Sequence, residues 1–546
     1  MAIQPTRRSL LSLQGEWILE IFIGGSPFRF GTVGTDVTRD GGDSIRFFEG
    51  LDPITQKLSS EGSADFSVGI TMQAGDKWGE IIAKYNMIER SPAILRRIFA
   101  GQTLEEARIV AEGTIEGFAY GEENEKVKFA IVRRSRTQSR MLPSPGMVVD
   151  DTTWPVRGGF ALDPSIIGAY YPIIIGAPGT RPGGVPLATT EALLVEEGNP
   201  DPRLLIAGHK VDATTVLIFD YTDDGAVPTA VRTVFTTTDL VGREISYCDM
   251  QGSGLTMDNG RIYYVGWLST GGGLLNPVGG GVLRGAGDVI DWFIRTWTDI
   301  RIDASRFGPI KELLNAYKID AYINEPIDPV AWLNANVFPI LPIEPRQGEE
   351  GLYWYMRRWD ATSSDSVARL DADNGQIQRA SMVTTESSQV VNEVTVTYGP
   401  DRGTGRGAFR RIVGAQDQTR ADDEIESGLV TTDSRMLGGY SAALSQSIFG
   451  RQPLTIIANS VWDDSTATRI AQDIIAEQAL PRRFVDYRGG ADLESFNIGD
   501  IIVLNETAVG LIDVVAQILD ITVGGADIML AFEIFDDPVV SERLAS

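Results

Sequence analysis

Short apolar runs bounded by turn residues recur along most of the chain, and this alternation of buried and exposed positions predicts a protein built mainly from antiparallel strands. Residues 463–537 show the pattern most fully. Asp463, Asp464 and Ser465 can accept hydrogen bonds from the free N–H groups of a first helical turn, so a helix is expected to start there. Ala467, Ile470, Ala471, Ile474, Ile475 and Ala479 follow at three- and four-residue spacing and lay one apolar stripe along it. Pro481 lacks a donor and ends it. Strands are then expected at 484–487, 493–496, 501–504, 514–519 and 528–535, with a turn at Gly489 and Gly490 and a corner at Gly499 and Asp500. The helix is expected to pack across this closing β-meander.

The N-terminal part reads as a complete β domain. A hairpin is expected from 17–23 and 28–30 around Gly24 and Gly25, where a tight turn needs positive φ. Further strands are expected at 44–49, 64–72, 93–99, 108–118 and 126–133, with a turn at 121–124 and a short amphipathic segment at 78–85. Residues 141–184 are rich in proline and glycine and read as a linker or wrapping loop. A second β set is expected at 191–195, 203–207, 215–221, 231–235 and 261–267. The glycine runs 271–273 and 279–281 read as hinges around that set. Helices are expected at 286–297, 309–317 and 328–336, the last opening with Asp328 before Pro329. Strands return at 351–359, 376–385 and 392–398, followed by an acidic loop at 422–424 and a short helix near 440–445.

The expected fold class is therefore mainly β with α+β parts: several antiparallel β domains and a short helical segment. The module boundaries are an N-terminal β domain at 1–145, a linker with an inserted β domain at 146–275, a helical segment at 276–345, a β domain at 346–455, and a helix with a β-meander at 456–546.

Composition narrows the function. At 546 residues the chain is too long for one core, and 59 glycines agree with many turns. The formal charge of −26 repels nucleic-acid phosphates and anionic membranes, which argues against a sequence reader or a polybasic membrane binder. A single cysteine, Cys248, excludes an intrachain disulfide framework. Arg7 and Arg8 are reminiscent of an export signal, but Gln14, Glu16 and Glu20 interrupt the apolar stretch behind them. No window has the uninterrupted apolar length of a membrane-spanning helix, so no stable membrane insertion is expected.

Candidate chemistry is sparse. A nucleophile system needs a base, and His209 is the only histidine. With Cys248 as partner it reads as a strand-end structural residue, and the two cannot supply a zinc ligand set. Glu122 with Glu123, Glu349 with Glu350, and Asp422, Asp423 and Glu424 are carboxylate pairs of the kind a glycosidase uses, placed where solvated charge is the simpler reading. Residues 176–184 and the glycine runs lack the spacing of a phosphate-binding loop. Asp36, Asp40, Gly41, Gly42 and Asp43 are faintly similar to a calcium loop, without its spacing or final glutamate. No catalytic, cofactor-binding or metal-binding residue is assigned, and no cofactor is expected.

The order of modules carries a resemblance. Residues 63–68 (Ser-Ala-Asp-Phe-Ser-Val), 113–121, 151–155 (Asp-Thr-Thr-Trp-Pro) and 169–176 in the first half resemble stretches of the tail hub, or baseplate hub, proteins of tailed bacteriophages. So do 288–293, 328–333, 391–398 and 498–500 in the second half. The resemblance implies a homotrimer whose subunits each carry two tube-like β domains, formed at the two ends of the chain, so that three chains present a six-fold-like ring to the tail tube. It also implies a location in the virion tail tip after assembly in the bacterial cytoplasm. Implied partners are tail tube and distal tail proteins, a tape-measure protein and fibre or spike proteins, with DNA only passing through. An enzyme using paired carboxylates and a host-surface adhesin are the alternative readings.

Overall fold

Strands from both ends of the chain build two large sheets that share one core. In the computed structural model the described residues are 16–535, apart from 24–25, 52–55, 59–65, 72–90, 99–101, 121–125, 134–139, 157, 159, 181–185, 198–201, 223–224, 252–261, 269–271, 278–279, 299, 348–350, 359–360, 400–408, 415–438 and 524–527. The protein is mainly β, with several antiparallel sheets, one closed six-stranded barrel and a few short helices.

The N-terminal sheet has eight strands, in spatial order Thr35–Thr38, Ser44–Glu49, Ser26–Gly31, Glu16–Ile23, Pro92–Ile98, Arg108–Tyr120, Lys126–Arg133 and Phe66–Thr71. The expected hairpin is present as Glu16–Ile23 against Ser26–Gly31, and its turn glycines lie outside the described residues. Glu16–Ile23 is central and buried on both faces. Trp17, Leu19, Ile21 and Ile23 enter the core shared with the second sheet, while Ile18 joins Val37, Phe47, Ile98 and Leu104 on the other face. The short amphipathic segment expected at 78–85 lies outside the described residues.

The second large sheet runs Ala368–Asp371, Ile501–Glu506, Leu511–Val523, Ile528–Ile534, Arg483–Gly489 and Ile377–Thr384. Gln56–Leu58, from the N-terminal part, adds antiparallel to Ile521–Val523. Leu19, Leu95 and Ile115 thus meet Tyr487, Leu504 and Phe532 in one continuous apolar cluster.

Between these ends the inserted β set closes into a barrel of Thr190–Leu194, Arg203–Ala207, Glu244–Asp249, Gly225–Thr238, Thr215–Thr222 and Ile262–Trp267. Glu244–Asp249 was not expected; Ile245, Ser246 and Cys248 are fully buried along it, so it is covered on both faces. The proline-rich stretch packs against the barrel, with Ile174 and Ala177 among its core residues. Of the two readings offered for it, the structure takes wrapping loop: Leu142, Val149, Trp154, Ile173, Ile174, Ile175 and Ala177 are buried, distributed over three clusters.

Helices α1 (Ala286–Trp297), α2 (Ala304–Leu314) and α3 (Pro329–Asn336) form the expected helical segment, joined by α4 (Gly439–Phe449) and α5 (Asp464–Gln478). Helix α2 starts earlier than expected. Asp303 Oδ1 accepts from Ser305 N at 3.1 Å and Arg306 N at 3.2 Å, so the helix begins at that cap and Pro309 falls inside it. Asp328 caps α3 as expected, accepting from Ala331 N at 2.8 Å.

The closing unit needs two corrections. Residues 493–496 form a short 3-10 turn, Ala491–Ser495, and not a strand. Leu493 is fully buried and fills the space over Gly489, where a Cβ would lie 2.5 Å from Leu493 Cδ1. Helix α5, capped by Asp463 as expected, does not cover the closing meander. Its Ala467, Ile470, Ala471 and Ile475 pack with Val394, Val396, Tyr398 and Val413 of a separate three-stranded sheet, Phe409–Val413, Glu393–Tyr398 and Pro453–Ala458. The meander's own apolar face is already taken by the N-terminal sheet.

The two glycine runs differ: Gly280 and Gly281, at φ +70° and +75°, have open space around them, whereas Gly272 and Gly273 do not. A Cβ on Gly272 would meet the Trp267 ring at 2.8 Å, and one on Gly273 would meet Gly176 O at 2.3 Å. The first run is packed shut. Among the described residues no helix is long and apolar enough to cross a membrane.

Candidate functional site

His209 and Cys248 turn out to be committed to structure. His209 Nε2 accepts the Ile174 N–H at 3.0 Å, and Nδ1 lies 2.9 Å from the Lys210 carbonyl, which fixes the neutral tautomer with its proton on Nδ1. Burial pushes the imidazole down to about 4, so it stays uncharged. Ser246, two residues from Cys248, donates to the His209 carbonyl at 2.8 Å. Cys248 itself is buried in the barrel, and burial pushes its thiol well above the ordinary range. No nucleophile is activated by this arrangement.

The other candidates divide in two. Asp36 pairs with Arg46 at 3.3 Å and Asp40 accepts from Thr103 Oγ1 at 2.7 Å, so the loop at 36–43 spends its carboxylates on its own neighbours. Glu122, Glu123, Glu349, Glu350, Asp422, Asp423 and Glu424 lie outside the described residues. Among the described residues there is no group of three or more potential metal ligands.

Gly176, φ +65°, opens the glycine-rich stretch, and the N–H that follows it is already satisfied. Ala177 N donates to Asp320 Oδ1 at 2.7 Å, and that carboxylate is clasped by Arg284 at 2.7 and 3.0 Å. Burial acts against the Arg284 charge, but Asp320 beside it raises the guanidinium above its usual range. This pair joins the wrapping loop to the helical segment, and Asp320 N donates to Ser460 O just ahead of α5.

Two further charged groups hold modules together. Arg203 Nε donates to Glu196 at 2.9 Å, and its guanidinium stacks 4.9 Å over Trp154, fastening the barrel to the wrapping loop. The larger group lies where the closing sheet, α5 and the hairpin Ile343–Gln347 with Leu352–Met356 meet. Strand alternation splits that hairpin between cores: Tyr353 and Tyr355 enter the core of the two large sheets, Trp354 enters the helical core. Across this seam Arg357 bonds both Glu344 and Glu477, and Arg482 Nη1 donates to Glu477 at 2.9 Å and to Glu533 at 3.0 Å. Arg346 donates to Glu344 at 2.7 Å. Gln517 Nε2 bonds the Met356 and Gly499 carbonyls at 2.9 and 3.0 Å.

Electrostatics within the seam are uneven. Desolvation works against the Glu344 carboxylate, but bonds from Arg357 and Arg346 outweigh it and hold the carboxyl below the usual range. Desolvation dominates at Glu533 and raises it, because Arg482 is shared with Glu477. No pattern in the sequence marked these residues. They are scattered charges near element ends, and only Glu344 and Arg346 show a spacing, two apart on one strand face, that could have been noticed.

No family model and no curated protein matches the sequence. Solved structures are similar to it over long stretches. The tail protein from Neisseria meningitidis MC58 is 11% identical, with 95% of this chain and 96% of that chain covered and a TM-score of 0.36. The 43 kDa tail protein of prophage MuSo2 from Shewanella oneidensis is 10% identical over 95% of this chain and 97% of that chain, with a TM-score of 0.31. A chain of the native gene transfer agent virion is 9% identical over 73% of this chain and 89% of its own, with a TM-score of 0.36.

Proposed function

We propose that this chain is a structural hub subunit of a phage tail tip or baseplate, three copies of which close a ring that continues the tail tube. The observation that carries this reading is the shared core of the two large sheets, which come from opposite ends of the chain and are hydrogen-bonded through Gln56–Leu58 and Ile521–Val523. One subunit thereby presents two large sheets side by side, and three subunits present six. The module order seen in the sequence agrees with such hubs. The net charge of −26 suits a wall that DNA must pass without sticking.

On this reading the ring meets tail tube and distal tail proteins on one side and fibre or spike proteins on the other, with a tape-measure protein and then DNA in its channel. It works in the virion after assembly in the bacterial cytoplasm. No catalytic residue is assigned. Light scattering and negative-stain imaging of the purified chain, and of particles that contain it, test the proposal. The expected result is three chain masses and a three-fold ring. A monomer or a different symmetry under every condition, including the particle, would overturn it.

A further inference from the structure

The seam between the two cores contains a buried carboxylate that its surroundings only half satisfy. Glu533 is 2% exposed; its Oε1 accepts from Arg482 Nη1 at 3.0 Å, and its Oε2 has no hydrogen-bond partner among the described residues. A buried charged oxygen without a partner is costly, and a proton on that oxygen removes the cost. The groups facing it from each neighbouring element are unambiguous. Gln517 lies opposite it on Leu511–Val523 and Phe484 opposite it on Arg483–Gly489. Arg482 precedes that strand, Glu477 comes from α5, and Arg357 with Glu344 comes from the hairpin. Two guanidinium groups, Arg357 and Arg482, thus serve three carboxylates, Glu344, Glu477 and Glu533, while Arg346 serves Glu344 from its far side.

We propose that Glu533 is the proton-binding element of a latch across this seam: taking one proton from solvent on Oε2, it leaves Arg482 wholly to Glu477 and tightens the closing sheet onto α5 and the hairpin. The proton neutralises one carboxylate, and Arg482 then has Glu477 as its charged partner while Arg357 keeps both Glu344 and Glu477. Desolvation already raises the Glu533 carboxyl. The sign follows from linkage. A carboxyl raised in the fold adds stability that is complete below its unfolded value and is lost as pH rises through the folded one. Mild acid therefore locks the seam and neutral pH loosens it. Glu344, held low, acts oppositely and only at still lower pH, where its protonation breaks the pairs with Arg346 and Arg357. The latch operates in the window between.

Hydrogen exchange on the full chain tests this. Amides of Ile528–Ile534 are compared with those of the barrel strand Thr215–Thr222 at pH 7.5 and 5.5, each corrected for intrinsic exchange. The wild-type chain is expected to gain protection in Ile528–Ile534 relative to the barrel at pH 5.5, by up to about tenfold for each unit by which the carboxyl is raised. Glu533→Gln mimics the protonated form and should show the acid-level protection at both pH values. Glu477→Gln should lose protection at both, since it leaves Arg357 and Arg482 short of a partner. A wild-type chain with no relative gain at pH 5.5 would overturn the proposal whether or not the variants fold. So would a folded Glu533→Gln chain that keeps the wild-type response.

Discussion

At the residue scale the decisive facts are burial and hydrogen-bond partners, and they turn a candidate base into a structural pin. His209 was legible as a strand-end residue with a local hydrogen bond, but the sequence did not show that it would bridge the barrel to Ile174. Its folded value of about 4 lies below the ordinary 6.5. A depressed histidine contributes stability that is present above its unfolded value and is lost as pH falls toward the folded one. The barrel should therefore lose about 3 kcal/mol between pH 6.5 and 4 from this group. His209→Ala should flatten that part of a urea-denaturation pH profile while costing ~1–3 kcal/mol at pH 8, because it strands the Ile174 N–H. An unchanged profile would place the proton uptake elsewhere. Cys248 makes a simpler prediction: a thiol reagent should find no reactive cysteine in the native chain and one after denaturation. Gly176 is constrained twice, by φ +65° and by Asp320 Oδ1, which stands 2.1 Å from where a Cβ would be. Gly176→Ala should cost on the order of 3 kcal/mol, read from the denaturation midpoint.

At the element scale, helix α5 shows how periodicity can be right while its partner is wrong. The stripe, the Asp463 cap and the end before Pro481 are all as the sequence implied. The face it covers is different. A helical stripe states that something apolar lies opposite, and it carries no address; three strands formed by 393–398, 409–413 and 453–458 supplied the surface. Two of those strands were unexpected: Phe409–Val413 carries adjacent arginines, and Pro453–Ala458 begins with a residue that argues against strands. The consequence is testable within the stripe. Ile470 is 1% exposed and Ile474 only half-buried, so Ile470→Ala should lose ~2–4 kcal/mol and Ile474→Ala about 1. Equal losses, measured by urea unfolding, would show that α5 is rotated from the arrangement described.

At the scale of the whole molecule, the shared core makes the two ends of the chain one cooperative unit. Leu95 of the N-terminal sheet and Phe532 of the closing sheet belong to the same buried cluster. Leu95→Ala should therefore raise hydrogen exchange in Ile528–Ile534 as well as in Pro92–Ile98, more than in the barrel. Loosening confined to residues 16–133 would mean that the two sheets are energetically independent. The sequence by itself determined the strand-rich class, the position of most strands, the helix caps at Asp463 and Asp328, and the exclusion of a disulfide framework. These follow from local causes: alternation, turn residues, capping side chains and a count of cysteines. Only the tertiary structure decided which apolar faces meet, that the first glycine run is packed shut, and that Glu344, Arg357, Glu477, Arg482 and Glu533 converge. Apolar burial is non-directional, so an amphipathic element specifies the chemistry of its partner and not its identity. Charges far apart in sequence become one network only after those faces have been paired.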